Sequence, residues 1–254
     1  MSLNTDGELF KKRLIELANR AYDTGVPTFT PFMGLLEQDI FRRCEREFSH
    51  VPYAMFGGTE GCERVMARFG DEQLCGYSAP FPIVCIKAAP LSRRFSDELT
   101  HRDILGAVMN LGIDRSTTGD IVIRDNIAYL FCNETVAPLI IDSLTRAKHT
   151  ELHAEAVERP PEGELYKLKR VKINIASERL DCIVKEFLRV GRGEASELIA
   201  KGRVFINGKL CESVSKPLKS GDVVSVRGNG RFIFRETVNM TRKGRLSAEI
   251  DVFC

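Results

Sequence analysis

The sequence predicts an α+β protein made of three parts. Residues 1–75 show mainly helical periodicity, residues 76–160 carry strand and helix signals in the order β-α-β-β-α-β, and residues 167–254 combine two short helices with a series of strands. These assignments depend on apolar residues, which recur every three to four positions in a helix and every two in a half-buried strand. A chain of 254 residues is long enough for two or three domains.

The composition indicates a globular protein with ordinary cores. Hydrophobic residues make up 43% of the chain and charged residues 28%. No apolar run approaches the roughly twenty residues that span a bilayer, and the charged amino end lacks the apolar core of a signal peptide. We therefore expect a cytoplasmic protein that does not bind a membrane.

The cysteine and histidine patterns predict no metal site and no cofactor. None of the eight cysteines forms a Cys-x-x-Cys pair, which favours buried, reduced thiols. His149 and His153 have the spacing of helical metal ligands, but no cysteine or glutamate signature accompanies them.

The net charge of +2 hides an uneven distribution. Residues 167–254 contain 19 Lys and Arg against 10 Asp and Glu, which leaves 18 against 25 in the rest of the chain. A basic end joined to an acidic body suggests that the basic end binds a polyanion. The acidic amino-terminal body is then a candidate surface for a protein partner.

The amino-terminal unit is predicted to be mainly helical. Apolar spacing predicts helices over 9–21, over 30–48 from a start at Thr30-Pro31, and over 59–68, with a strand over 51–58. The phenylalanines of this unit are expected to form its core: Phe10, Phe32, Phe41 and Phe48.

The middle of the chain is predicted to be ferredoxin-like, as in RNA-recognition motifs. Strands are expected over 81–89, 119–125 and 127–133 and from about 149 onward, with helices over 96–111 and 134–147. Tyr129 and Phe131 lie two apart on one face of a strand, where such motifs stack bases. The basic-glycine-aromatic pattern is missing, so core packing is the favoured interpretation.

The polar run over 100–121, which includes most of the first helix of this part and the start of its second strand, has two interpretations. Arg102, Asp103, Arg115 and Asp120 form either a salt-bridged corner or a surface that contacts a partner. We keep Arg102, Asp103 and Arg115 as the candidate contact surface.

The carboxy-terminal part begins with two helices that meet at a sharp turn. Leu180, Ile183, Val184, Phe187 and Leu188 recur at helical spacing behind Ser177, a residue type that caps helix starts. Gly191 breaks the pattern, and a second helix runs from about Gly193 to Gly202. Asn207-Gly208 is the preferred pair for a tight hairpin, Gly221-Asp222 opens another strand, and the tail beyond Arg227 should add strands.

This order of elements, with the segments KGRVFING and GDVVSV, resembles the S-four (S4) RNA-binding domain over about fifty residues. Members usually carry Ser-Arg at the turn, where this chain has Gly191-Arg192. The resemblance implies RNA contacts by Arg179 and Arg192. Asp181 is expected either to orient an arginine or to act as a helix-start charge. Further cations at element ends complete the predicted RNA-binding set: Lys201, Arg203, Lys209 and Arg227.

Residues 75–250 as a whole resemble the YlmH family of bacterial S4-domain proteins. The resemblance implies a helical amino-terminal unit, a ferredoxin-like centre and a carboxy-terminal RNA reader. It also implies a non-catalytic role on the large ribosomal subunit carrying peptidyl-tRNA, in quality control of stalled translation. The expected partners are therefore ribosomal RNA and tRNA.

The sequence is also compatible with two other functions. S4 domains often accompany pseudouridine synthases and methyltransferases, but the chain has no glycine-rich cofactor loop, and only Asp103 and Asp120 are candidate catalytic residues. The second alternative is a scaffold linked to cell division, in which the acidic body binds a protein and RNA serves as the tether.

Overall fold

The computed structural model describes residues 3–161, 166–240 and 246–253. Its contacts divide the chain into two compact units, residues 1–165 and 166–254. Both units combine helices with antiparallel sheet, which confirms the α+β class. The further division of the first unit near residue 75 stays a prediction. Within the described ranges, no helix has both the length and the apolar character needed to cross a bilayer.

The amino-terminal part of the first unit packs helices on a small sheet. The helices are α1 (Leu3–Thr24), α2 (Leu35–Cys44) with a 3₁₀ turn at Glu45–Phe48, and the short α3 (Glu72–Cys75). The strands β1 (Thr28–Phe29), β2 (Tyr53–Phe56) and β3 (Met66–Phe69) lie in the order β1-β3-β2. Phe41, Phe48 and Phe69 are fully buried and pack against one another.

Two predicted helices of this part differ from the structure. The second helix begins at Leu35 and not at Thr30, because Thr30 exchanges hydrogen bonds with Ala67 through its backbone amide and its hydroxyl. The helix predicted over 59–68 is wrong: its end belongs to β3, which pairs with both β1 and β2. Tertiary strand pairing overrides the weak helical spacing there.

The central part of the first unit is the predicted ferredoxin-like arrangement. Its elements are β4 (Ile83–Pro90), α4 (His101–Met109), β5 (Thr118–Arg124), β6 (Ile127–Asn133), α5 (Ala137–Ser143), β7 (Arg146–Ala147) and β8 (Thr150–Val157). All pairs in the order β5-β6-β4-β8-β7 are antiparallel. Asp125 and Asn126 have positive φ angles, as a tight hairpin requires.

One face of this sheet is covered by the amino-terminal part. Tyr129 is 6% exposed and Phe131 1% exposed, and both pack with Phe32 and Met66. A side chain at Gly58 would collide with the ring of Phe131, so glycine permits this close approach. The structure therefore confirms that the two aromatic residues are core residues.

The second unit is a six-stranded sheet with two helices on one face. Its strands are β9 (Leu168–Ile175), β10 (Val204–Ile206), β11 (Lys209–Leu210), β12 (Val223–Val226), β13 (Gly230–Met240) and β14 (Leu246–Phe253), in the order β11-β10-β12-β13-β14-β9. The helices α6 (Leu180–Leu188) and α7 (Arg192–Ala200) bury Leu180, Ile183 and Ile199 against it. Strand β9 was not predicted from the sequence, whereas the Asn207-Gly208 hairpin was.

The start of α6 differs from the prediction. Its N-cap residue is Arg179, not Ser177, and no side chain caps it. The backbone amides of Leu180 and Asp181 instead donate to the carbonyls of Lys216 and Val214. The segment between β11 and β12 therefore satisfies the free amides of the helix.

Candidate RNA-binding surface

The two helices of the second unit bring two arginines together on one carboxylate. Asp181 is 1% exposed in the first turn of α6. Its Oδ1 and Oδ2 accept hydrogen bonds from Nε and Nη2 of Arg179 at 3.0 and 3.2 Å. Oδ2 also accepts a bond from Nε of Arg192, at the start of α7, at 3.1 Å. The structure thus joins three of the predicted residues in one cluster, the Asp181 clamp.

The clamp keeps Asp181 ionised. Burial opposes the charged form of a carboxyl group, but the hydrogen bonds and charges of Arg179 and Arg192 outweigh it and lower the pKa of Asp181 below its usual value. Both arginines remain accessible, because the side chains of Arg179 and Arg192 are 39% and 64% exposed. A buried anion therefore positions two exposed cations.

The turn between the helices adds a cation that the sequence did not single out. Arg189 is exposed and ends α6 in the left-handed conformation, with a φ of 57°. Gly191 is the N-cap of α7 and has no side-chain cap, as expected for the Gly-Arg departure from the usual Ser-Arg. From the sequence, Arg189 could be identified as a candidate only by its position two residues before Gly191, in the predicted turn between the helices.

Among the described residues, the remaining predicted cations of this unit make no hydrogen bond or ion pair with Asp181. Arg203 immediately precedes β10 and Arg227 immediately follows β12; both are exposed, and the amide of Arg227 donates to the carbonyl of Arg203 at 2.8 Å. Lys201 caps the end of α7 and pairs with Glu197. Lys209 is exposed beyond the Asn207-Gly208 hairpin. Arg203 and Arg227 thus form a second group of neighbouring cations.

The three residues of the candidate contact surface in the first unit have different surroundings. Arg102 is exposed in the first turn of α4. Asp103 closes a capping box with Thr100 and pairs with Lys148 at 2.9 Å, and these contacts lower its pKa to about 2. Arg115 donates to the carbonyls of Thr118 and Gly119.

Asp120 and Arg64 connect the two parts of the first unit. Asp120 is 7% exposed and accepts hydrogen bonds from the amides of Glu63 and Arg64 at 2.6 and 3.1 Å. The guanidinium of Arg64 donates to the carbonyls of Phe32, Arg115 and Thr118. Burial and the neighbouring charge of Arg64 lower the pKa of Arg115 to about 10. Arg64, which the sequence did not single out, thus holds the unit together.

The described part of the chain contains no cluster of three or more His, Cys, Asp or Glu side chains arranged to hold a metal ion. His149 lies in the turn between β7 and β8 and His153 lies in β8, so the two residues do not share the helix that their spacing as metal ligands would need. Asp103 and Asp120, the two candidate catalytic residues, have the structural contacts described above.

Two family models match this chain. Residues 84–160 match a model described as "Putative RNA-binding domain in YlmH", and residues 178–224 match the S4 domain. The first match covers the ferredoxin-like sheet and its helices. The second contains the Asp181 clamp, both helices of the second unit and the strands β10 and β11.

A curated relative aligns with most of the chain. It is the "Ribosome-associated protein quality control protein P2" of Bacillus subtilis (strain 168), 26% identical over 224 residues, which are 85% of this chain and 83% of the relative. A solved structure, "Cell division protein ylmH from Streptococcus pneumoniae", is similar with a TM-score of 0.48 and 22% identity, covering 63% of this chain and 93% of the other. The two domain matches and the curated relative together support a likeness of this chain to the YlmH family of S4-domain proteins.

Proposed function

We propose that this protein is a non-catalytic factor that binds ribosomal RNA and tRNA on the large ribosomal subunit, in rescue or quality control of stalled translation. The observation that carries the proposal is the Asp181 clamp, which holds Arg179 and Arg192 together at the amino ends of the two helices of the S4 domain. The relative named for ribosome-associated quality control supports the choice of the ribosome.

The clamp suits the binding of RNA phosphates. Arg192 uses only Nε on Asp181, and its two terminal nitrogens have no partner among residues 3–161, 166–240 and 246–253. A guanidinium donates two parallel hydrogen bonds to a phosphate, and these charge-assisted bonds are stronger than neutral ones. Because the clamp already restricts both arginines, less side-chain entropy is lost when RNA binds.

The second group of cations supports the same kind of ligand. Arg203 and Arg227 flank the paired residues Val204 and Val226 on adjacent antiparallel strands. Because the backbones of Arg203 and Arg227 are hydrogen-bonded to each other, their positive charges lie at neighbouring positions, and a bound polyanion would offset the repulsion between them. The excess of Lys and Arg in residues 167–254 adds a long-range attraction to RNA.

A single substitution tests the proposal. Arg192→Ala removes an exposed cation and leaves Asp181 paired with both nitrogens of Arg179, so the fold should persist. We expect binding to purified large subunits to weaken about 10- to 150-fold, which corresponds to about 1.5–3 kcal/mol for hydrogen bonds to a charged group. Pelleting of the subunits through a sucrose cushion measures the bound fraction.

The matched control removes more charge from the other unit. Lys12→Ala combined with Arg13→Ala changes two exposed cations of α1 and should leave binding unaltered. Equal binding by the Arg192→Ala variant and the wild type would contradict the proposed role of the clamp. Absence of binding by the wild type itself, at low salt, would contradict the ribosomal function.

A further inference from the structure

The connection between β4 and α4 presents an aromatic ring to solvent. Residues 91–96 form a loop around a 3₁₀ turn, Arg93–Phe95. The side chain of Phe95 is 80% exposed, the largest value among the exposed large hydrophobic residues of the described chain, and Leu91 is 65% exposed. Single exposed apolar side chains are common on protein surfaces, so Phe95 is a candidate binding group only together with the fixed loop and the cations beside it.

Hydrogen bonds hold both ends of this loop. The amide of Leu91 donates to the carbonyl of Glu151 at 3.0 Å. The side-chain amide of Asn126 donates to Ser96 Oγ and to the carbonyl of Asp97, at 3.1 and 2.8 Å, and its Oδ1 accepts from the amide of Leu99 at 2.7 Å. The exposure of Phe95 is therefore a property of an anchored loop.

Two arginines accompany the ring. Arg93 and Arg94 are exposed, and in the described ranges neither guanidinium has a hydrogen bond or an ion pair. The Cζ atom of Arg94 lies 5.7 Å from the centroid of the Phe95 ring. The positive charges of Arg93 and Arg94 can bind a negatively charged ligand. The exposed ring of Phe95 can stack on a flat part of the same ligand. Unpaired RNA has both properties.

The usual place for base stacking in this fold is closed. Tyr129 and Phe131 lie on the sheet face that the amino-terminal part covers, so neither ring can stack on a base. Any RNA contact of this domain, which matches a model described as a putative RNA-binding domain, therefore lies elsewhere. The loop at the end of β4 offers the aromatic and basic groups that the sheet face does not.

We propose that Arg93, Arg94 and Phe95 form a second RNA contact, in which an unpaired base stacks on Phe95 and the two arginines bind the adjoining phosphates. This inference rests on the proposed function for the kind of macromolecule bound, and it adds a site in the first unit to the one in the S4 domain. Its chemistry is sequence-tolerant, because every base has a flat face.

A tryptophan at position 95 provides a direct readout. The chain contains no tryptophan, so Phe95→Trp places its one tryptophan at the proposed stacking position, where its emission can be excited selectively over that of the tyrosines. We expect saturable quenching of its fluorescence by a single-stranded oligouridylate and by purified large ribosomal subunits. Tyr77→Trp, at a half-exposed aromatic position of the same unit, is the matched control and should not be quenched.

Two further variants measure the separate contributions to binding of the oligouridylate. Phe95→Ala should weaken binding about 5- to 150-fold, the loss expected for one base stacked on an aromatic side chain. Arg93→Ala combined with Arg94→Ala should lower the slope of log affinity against log salt by about 1.4, or ~0.7 for each phosphate contact on a single strand.

The outcomes separate this inference from the proposed function. Unchanged fluorescence of the Phe95→Trp variant, while the same variant pellets with large subunits, would overturn the loop contact and leave the S4 contact in place. Failure to pellet together with quenching by the oligouridylate would support the loop and reject the ribosomal function. A blue shift on addition of RNA-depleted ribosomal proteins, without quenching by RNA, would identify a protein ligand and overturn the inference.

Discussion

At the scale of single residues, Asp181 determines how the S4 domain presents its cations. The sequence identified Arg179, Asp181 and Arg192 and left open whether Asp181 orients an arginine or only charges a helix start. The structure shows that Asp181 orients both arginines. Sequence reasoning did not foresee its burial, because this depends on the segment at Val214–Lys216, which lies over thirty residues away and binds the helix amides. Whether these residues contact RNA stays a prediction.

The burial of Asp181 changes the expected effect of removing both arginines. From the sequence, Arg179→Ala with Arg192→Ala should abolish ribosome binding without unfolding the protein. The structure predicts that this double variant also loses about 3–5 kcal/mol of stability, because a buried carboxylate is left without partners. Adding Asp181→Asn should restore part of the lost stability, because it removes the buried negative charge. Urea denaturation measures the free energies of unfolding.

The pH dependence of this loss has a defined sign. In the wild type the arginines lower the pKa of Asp181, so its stabilising contribution exists above its usual pKa of 3.8 and is lost as the pH falls through the lowered value. In the double variant, protonation removes the uncompensated negative charge of the buried Asp181 carboxylate. The difference in stability should therefore begin to narrow above pH 3.8, where the variant's buried carboxyl takes up its proton, and narrow further below 3.8 as the wild type loses its contribution. If the difference in the free energy of unfolding between the wild type and the double variant stayed constant as the pH fell, this explanation would be contradicted.

At the scale of elements, local turn chemistry was predicted well and tertiary pairing was not. The Asp125-Asn126 and Asn207-Gly208 hairpins and the two S4 helices agree with the sequence. The prediction of a helix over 59–68 was wrong because β3, at the end of this range, pairs with strands on both sides. Strand β9 was missed because its exposed cations and lysine-rich sequence resemble a linker, although every described residue of it pairs with β14.

The cap of α7 gives a prediction at this scale. Gly191 has φ −69° and ψ 154°, which serine adopts without strain, and a side chain there would meet open space. Gly191→Ser should raise the free energy of unfolding by a few tenths of a kcal/mol, because the serine hydroxyl can accept a hydrogen bond from an unpaired backbone amide in the first turn of α7. Gly191→Ala is the control and should be about 1 kcal/mol less stable than the serine variant. Equal stabilities of the two variants would show that no cap forms.

At the scale of the whole molecule, the sequence predicted the order of the parts and the basic end. It did not predict that Arg64 and Asp120 join the amino-terminal and central parts, since both residues bond mainly to backbone groups far away in the chain. That junction closes the sheet face around Phe131. RNA contacts of the first unit are therefore expected at its loops, and the S4 domain supplies the main basic surface.

The most direct test of the ribosomal function is sedimentation of tagged protein from lysate through a gradient at low and high salt, with sequencing of the RNA crosslinked to it. We predict co-migration with large subunits that is lost at high salt, as phosphate contacts require, and crosslinks to ribosomal RNA and tRNA. Migration away from ribosomes at low salt, or crosslinks confined to other RNAs, would contradict the central claim.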